Sequence, residues 1–238
     1  MATIFTSSIG KKLIMSISGL FLIIFLLLHG TINFFAVIDA LNGTWGNVAA
    51  DEKLFSAGDG LFKLGCDFMS TPFISIMVPV LAFGFVIHII YACYLTWCNI
   101  KSRGGYKRYE VSSKAKTESW ASKNMFALGI IVIGFIAFHL THFWAKMQLP
   151  EMFGVGVAEN NPYLLLEATF GNVAVLVLYI IWFTALWFHL GHGFWSAFQT
   201  LGWNNMTWIK RLNGIGLFFA SLIWVVFVSV AVTSFIMA

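Results

Sequence analysis

The sequence predicts an all-α fold: an integral membrane bundle of five transmembrane helices in a single domain over residues 1–238. Three observations carry this reading. Hydrophobic residues make up 59% of the 238 positions and charged residues only 10%, where a soluble domain carries about 25% charged residues. The apolar residues fall into five unbroken segments of at least 24 residues, above the roughly 20 that a helix needs to span a bilayer. None of the segments alternates with period 2. A backbone in lipid must satisfy its own polar groups as a helix or a closed barrel, and the missing alternation selects the helix.

The first span, residues 13–38, follows Lys11 and Lys12 and so has the flank of a secretory signal. Its 26 apolar-run residues far exceed the about 7–15 of a signal's apolar region, and we read it as retained. Residues 73–100, 123–146, 168–199 and 209–237 supply the other four spans. The longest connection, residues 39–72, has 34 residues. No segment is large enough for a soluble catalytic domain, and phosphate-loop, dinucleotide and Ser-His-Asp patterns are absent from the sequence. Soluble substrates therefore require another subunit, and no nucleic-acid partner is expected.

Eleven of the 14 Lys and Arg residues lie before the first span, between the second and third, or between the fourth and fifth. The other three are Lys53, Lys63 and Lys146, and eight of the ten acids lie with them. The positive-inside rule then predicts a cytoplasmic N-terminus and an outer C-terminus. The basic face is ordinary topogenic charge that would also suit an acidic soluble partner. Cys66, Cys93 and Cys98 have no metal-site spacing and no C-x-x-C-H occurs, which excludes covalent c-type haem.

The ionisable residues inside the spans carry the functional signal. All six histidines, His29, His88, His139, His142, His189 and His192, lie within spans whose cores contain no Asp, Glu, Lys or Arg. Intramembrane ionisable groups are costly and mark function by default. Zinc and helical di-iron sites add Cys or carboxylate to His, and proton relays usually do the same. Haem b asks only for an apolar slot and two imidazoles on opposite faces of the iron. Residues i and i+3 share one helix face, so neither "HLTH" at 139–142 nor "HLGH" at 189–192 can ligate both faces of one haem. Each helix offers one ligand and keeps one histidine over, and four helices make two bis-histidine haems. His29 and His139 sit about 3–5 residues past the middle of outward-running spans, roughly 5–7 Å toward the outer face. His88 and His189 sit past the middle of inward-running spans. One outer haem between the first and third helices and one inner haem between the second and fourth follow. Gly19, Gly30, Gly84, Gly129, Gly134, Gly191 and Gly193 leave room for helix packing or for a porphyrin. Trp182, Trp187, Trp195 and Trp203 read as interfacial or packing residues.

The stretches "SSIGKKLIMSISG" before His29, "VIHIIYACYLT" around His88, "NMFALGIIVIGFIAFHLTHFW" around His139 and "WFHLGHGFWSAFQTLGWNN" around His189 resemble the di-haem cytochrome b membrane subunit of succinate dehydrogenase and fumarate reductase, in its five-helix single-anchor type. The resemblance implies that His29 and His139 ligate the outer haem and His88 and His189 the inner one. His142 and His192 are then left to contact a haem propionate, a backbone carbonyl or a quinone. It further implies a flavoprotein subunit with FAD and an iron–sulfur subunit on the cytoplasmic face of a bacterial cytoplasmic membrane, with "KSRGGYKRYEVSSKAK" as docking loop. Electrons would pass between the iron–sulfur chain and menaquinone or another quinone, as part of a respiratory chain and the tricarboxylic acid cycle. A dimer of such heterotrimers stays open. Asp67 is a candidate quinone proton donor or acceptor, and a solvated loop acid is its plainer reading. Some family members carry a Glu two residues before the fourth-helix ligand; Trp187 stands here, which implies quinone turnover without a carboxylate proton return. Two other readings are the cytochrome subunit of a hydrogenase or formate dehydrogenase, and a haem-free histidine-dependent transporter.

Overall fold

A computed structural model describes residues 7–49, 53–102, 104–105, 119–203 and 205–238, without the side chain of Met206. Among the described residues the secondary structure is entirely helical. The helices are α1 (Ser8–Asn42), α2 (Leu61–Met69), α3 (Pro72–Ser102), α4 (Trp120–Lys123), α5 (Met125–His142), α6 (Gln148–Phe153), α7 (Pro162–Phe170), α8 (Val173–Thr200) and α9 (Met206–Met237). Five of them, α1, α3, α5, α8 and α9, are long and apolar enough to cross a membrane, as a multi-pass membrane protein requires. Their outward faces leave Ile24, Phe83, Ile90, Ile181, Phe218 and Val225 exposed. Apolar surface on that scale marks contact with something other than water.

Span boundaries differ from the sequence reading where local chemistry intervenes. α1 is longer at both ends, because Ser7 caps it by accepting from the Gly10 N–H at 3.0 Å and Gly43 ends it in the left-handed region at φ 71°. The third span is shorter than residues 123–146. Asn124, at φ −110° and ψ 13°, separates the one-turn α4 from α5, and beyond His142 the Ala145 N–H turns back to the Leu140 carbonyl at 2.8 Å. The fourth span starts at Val173 rather than 168. Residues 162–170 form their own helix, and Asn172 begins the next by accepting from the Ala174 N–H at 2.9 Å. Side-chain caps of this kind satisfy amides that have no partner within their helix.

The chain divides into two compact units. The first comprises Met1–Phe25, Val80–Ile130 and Phe188–Ala220; the second comprises Leu26–Pro79, Ile131–Trp187 and Ser221–Ala238. Charge segregates with them. Among the described residues the first holds Lys11, Lys12, Lys101, Lys123, Lys210 and Arg211 and no acid. The second holds Asp39, Asp59, Asp67, Glu151, Glu159 and Glu167 with three lysines.

The second unit is organised around Asp39, which is 1% exposed. Gly60, at the N-cap of α2, has no side chain to cap that helix. Asp39 does so from α1, accepting from the Leu61 N–H at 2.9 Å and the Phe62 N–H at 2.7 Å. The Thr44 hydroxyl donates to the same carboxylate at 2.8 Å and the Tyr163 hydroxyl at 2.7 Å. An anion at a helix N-terminus also meets the positive end of the helix dipole. Burial, together with donation to Asp39, pushes the Tyr163 hydroxyl above its usual pKa. Gly60 is glycine because a Cβ there would collide with the Tyr163 hydroxyl and lie 3.1 Å from Asp39 Oδ2. Gly60→Ala is therefore expected to destabilise the protein by about 1–3 kcal/mol, the usual cost of overpacking. Chemical denaturation in detergent checks this, and an unchanged midpoint would contradict it.

Candidate functional site

Both pairs of histidines expected from the sequence come together, one in each unit. In the first unit His88 of α3 faces His189 of α8, with ring centroids 6.3 Å apart and planes inclined by 66°. In the second unit His29 of α1 faces His139 of α5, with centroids 5.8 Å apart and planes inclined by 89°. Metal–imidazole bonds of about 2.0–2.1 Å, plus roughly 1 Å from each ring nitrogen to its centroid, separate two trans imidazoles by roughly 6 Å. Both pairs thus suit a single metal between two rings. Among the described residues no group of three or more His, Cys, Asp or Glu side chains converges. The pairs offer two donors each, and the remaining ligands would have to come with the metal.

The surroundings of the two pairs differ. His139 sits among aromatic rings, with Phe143 at 5.0 Å, Phe135 at 5.6 Å and Tyr179 at 6.4 Å between centroids. Its Nδ1 is buried without a hydrogen-bond partner, and the same holds for His189 and His192. A buried, unpartnered ring nitrogen is unusual enough to ask what completes it. His29 has Asn33 beside it, whose amide donates to the His29 carbonyl at 2.8 Å and lies 3.4 Å from Nε2. In the first unit Ser18 lies 3.3 Å from His88 Nδ1.

The other two histidines, His142 and His192, differ in surroundings. His142 Nδ1 lies 3.0 Å from the hydroxyl of Tyr179, a side chain 1% exposed. Their rings are nearly parallel, at 18°. His192 packs edge-on to the buried Trp195, with centroids 4.9 Å apart. Trp187, at the position where a Glu could have stood, donates through Nε1 to Ser221 at 2.9 Å and so ties α8 to α9. Trp182 packs on Phe135 and Phe138, whereas Trp203 is exposed beside Trp208. Several glycines serve helix packing. The space at Gly84 is filled by Phe21, 2.8 Å from where a Cβ would be, and that at Gly30 by Val226 and Phe227. Gly134 has nothing within 4 Å.

Asp67 departs from its plainer reading. It is 4% exposed, paired with Lys63 one turn earlier, and accepts from the Phe55 N–H at 2.9 Å. The solvated-acid reading is corrected: the carboxylate is buried where it holds the α1–α2 connection, at Phe55, onto α2. The cavity it lines measures about 80 Å³, below the about 300–1,000 Å³ of small-molecule sites. In the adjacent Cys66, burial and then the Asp67 charge push the thiol up to about 12. A raised folded-state value stabilises the fold below the ordinary thiol range, and that contribution is lost as pH rises toward about 12. Cys66 should accordingly resist alkylation at pH 8–9, where the unfolded chain reacts; peptide mass spectrometry reads this directly, and labelling at the unfolded rate would contradict it.

Of the basic loop between the second and third spans, Lys101 stands at the end of α3, its ammonium 5.4 Å from the Trp97 ring centre. Arg103, Lys107, Arg108, Lys114 and Lys116 lie outside the described residues. Sequence reasoning missed Ser18, Asp39 and Tyr179. Tyr179 had a signal, a polar aromatic ten residues before His189 in an otherwise apolar run. Compared with known proteins, the chain matches no family model, no curated protein and no solved structure.

Proposed function

We propose that this chain is the membrane anchor and electron-transfer subunit of a succinate:quinone oxidoreductase, working as succinate dehydrogenase or fumarate reductase with two b haems. The observation that carries the proposal is the pair of facing imidazoles in each unit, on four different helices. His88 and His189 would hold one haem, and His29 and His139 the other. A protein-built metal site normally supplies three or four donors, whereas a macrocycle asks only for two axial ligands. When bound, haem supplies a one-electron redox centre. The chain itself provides the imidazoles, a dry aromatic wall around His139, and His142 held toward Tyr179 for contact with a propionate or a quinone.

Orientation follows from charge. On the positive-inside rule the N-terminus would be cytoplasmic and the C-terminus outside, because eleven of the 14 Lys and Arg residues lie before the first span or in the connections that follow the second and fourth. The iron–sulfur subunit would dock on that cytoplasmic face and the FAD-bearing flavoprotein would carry succinate and fumarate chemistry, with menaquinone or another quinone as the membrane partner. The bacterial cytoplasmic membrane is the corresponding location.

The test has two parts. A reduced-minus-oxidised visible spectrum of the purified chain should show bis-imidazole haem b at two per chain; no absorbance would favour a haem-free transporter. Affinity purification from the native host should bring down a flavoprotein and an iron–sulfur protein with succinate and fumarate activity. Hydrogenase or formate dehydrogenase subunits in their place would overturn the assignment.

A further inference from the structure

We propose that Ser18 is a positioning residue for His88: its hydroxyl oxygen accepts the Nδ1–H of that imidazole and leaves Nε2 as the ring's free donor atom. The inference rests on the haem reading above and concerns how one of its ligands is held.

Ser18 lies on α1, is 8% exposed, and places Oγ 3.3 Å from His88 Nδ1. Either atom could donate across that distance in principle, and the remaining contacts decide which does. The Ser18 hydroxyl has one proton, and it is directed at the Met15 carbonyl at 3.0 Å. What the oxygen has left for His88 is lone pairs. This neighbour therefore calls for a donor, which puts the imidazole proton on Nδ1. In a neutral imidazole the other nitrogen is then unprotonated and available to a metal.

The α1 backbone also comes close to the ring on this side. Gly19 follows Ser18, and a Cβ there would lie 3.3 Å from His88 Cε1. The backbone of α1 thus approaches the imidazole edge closely enough that glycine is needed for unstrained contact. Ser18 and Gly19 act as one device, an acceptor for Nδ1–H beside an open notch for the ring edge. His189, across the pair, has a buried Nδ1 without a partner, so the two axial positions are unequally supported.

A hydrogen-bond acceptor on the outer nitrogen fixes tautomer and orientation and makes a ligand more basic, and loss of such a partner typically costs 10–100-fold in metal affinity or activity. A more basic ligand favours ferric over ferrous iron. In Ser18→Ala that acceptor is gone, and because it is a single contact at 3.3 Å the expected change is at the low end. The ferric preference of the His88–His189 haem should fall by up to about tenfold, which for one electron is a rise of up to about 59 mV in midpoint potential. The His29–His139 haem is the internal control and should keep its potential. Ser18→Thr keeps the hydroxyl and should restore the wild-type value.

The experiment is a redox titration of the full chain in detergent, with the low-spin ferric EPR spectrum as a second readout, for wild type, Ser18→Ala and Ser18→Thr. Support is a raised potential and altered EPR signal for one haem in the alanine variant, reversed in the threonine variant. An alanine variant with both potentials unmoved overturns the proposal, as does a threonine variant displaced as far as the alanine one. If the alanine variant loses that haem altogether, retention in Ser18→Thr supports the role and loss there too overturns it. A wild-type chain that takes up no haem overturns the functional reading and this inference with it; two haems with an indifferent Ser18 overturn this inference alone.

Discussion

His88→Ala and His189→Ala chains are expected to hold one haem instead of two, and to lose the same one. His29→Ala and His139→Ala should each lose the other. The reason is geometric. Each pair brings together two imidazoles from two different helices, so on the haem reading removing either ring would leave that haem with only one of its two histidines. Haem extraction gives the stoichiometry, and the remaining midpoint potential shows which site survived. His142→Ala and His192→Ala should keep both haems, since His142 is turned to Tyr179 at 3.0 Å and His192 to Trp195. A His142→Ala chain with one haem beside a His139→Ala chain with two would reverse the ligand choice on α5, and the same comparison serves α8.

Asp39→Ala should be the most damaging change away from the histidines. It deletes the common acceptor of the Leu61 and Phe62 amides and the Thr44 and Tyr163 hydroxyls. An unsatisfied buried donor costs about 1–3 kcal/mol, so the two fully buried ones, the Phe62 amide and the Tyr163 hydroxyl, should together cost at least about 2 kcal/mol. Asp39→Asn should recover only part of this, because the amide nitrogen presents protons to donors. Amide hydrogen exchange at Leu61 and Phe62 gives the local reading and thermal unfolding in detergent the global one. Native protection at both amides in the alanine variant would refute the account.

The parts of this structure legible in the sequence were those that lipid dictates. A bilayer forces long apolar helices, and the five spans follow from length and composition with end errors of a few residues. Beyond the two ends of α1, those errors sit at Asn124, His142 and Gly171–Asn172, where a cap or turn interrupts a run that remains apolar in composition. Histidines stood out because nothing else ionisable occupies the span cores. Asp39 did not stand out. It reads as the first residue of a loop, and its four donors come from residues 44, 61, 62 and 163, which no local pattern connects. Ser18 was equally hidden, since a helical serine bonded to a carbonyl one turn back is ordinary and only the approach of α3 gives it a second partner. Asp67 looked like a solvated acid for the same reason: Phe55, whose amide reaches it, carries no mark in the sequence.

The Asp39 carboxylate also imposes an order in time. Its partners lie 5, 22, 23 and 124 residues further along the chain. With synthesis at about 5–20 residues per second, the first three emerge within roughly 1–5 s of Asp39 and Tyr163 only after roughly 6–25 s. The short loop through Thr44 and the start of α2 can close while the ribosome is still making α3, and closing it needs little chain entropy. The fourth bond waits for α7, after three of the five spans have been made. Until then the carboxylate keeps a lone pair open at Oδ2, and the nascent chain carries an anion with three of its four donors, completed only by a residue from its second half. A chain halted between residues 70 and 160 would be arrested with that latch set on three points and unlocked at the fourth.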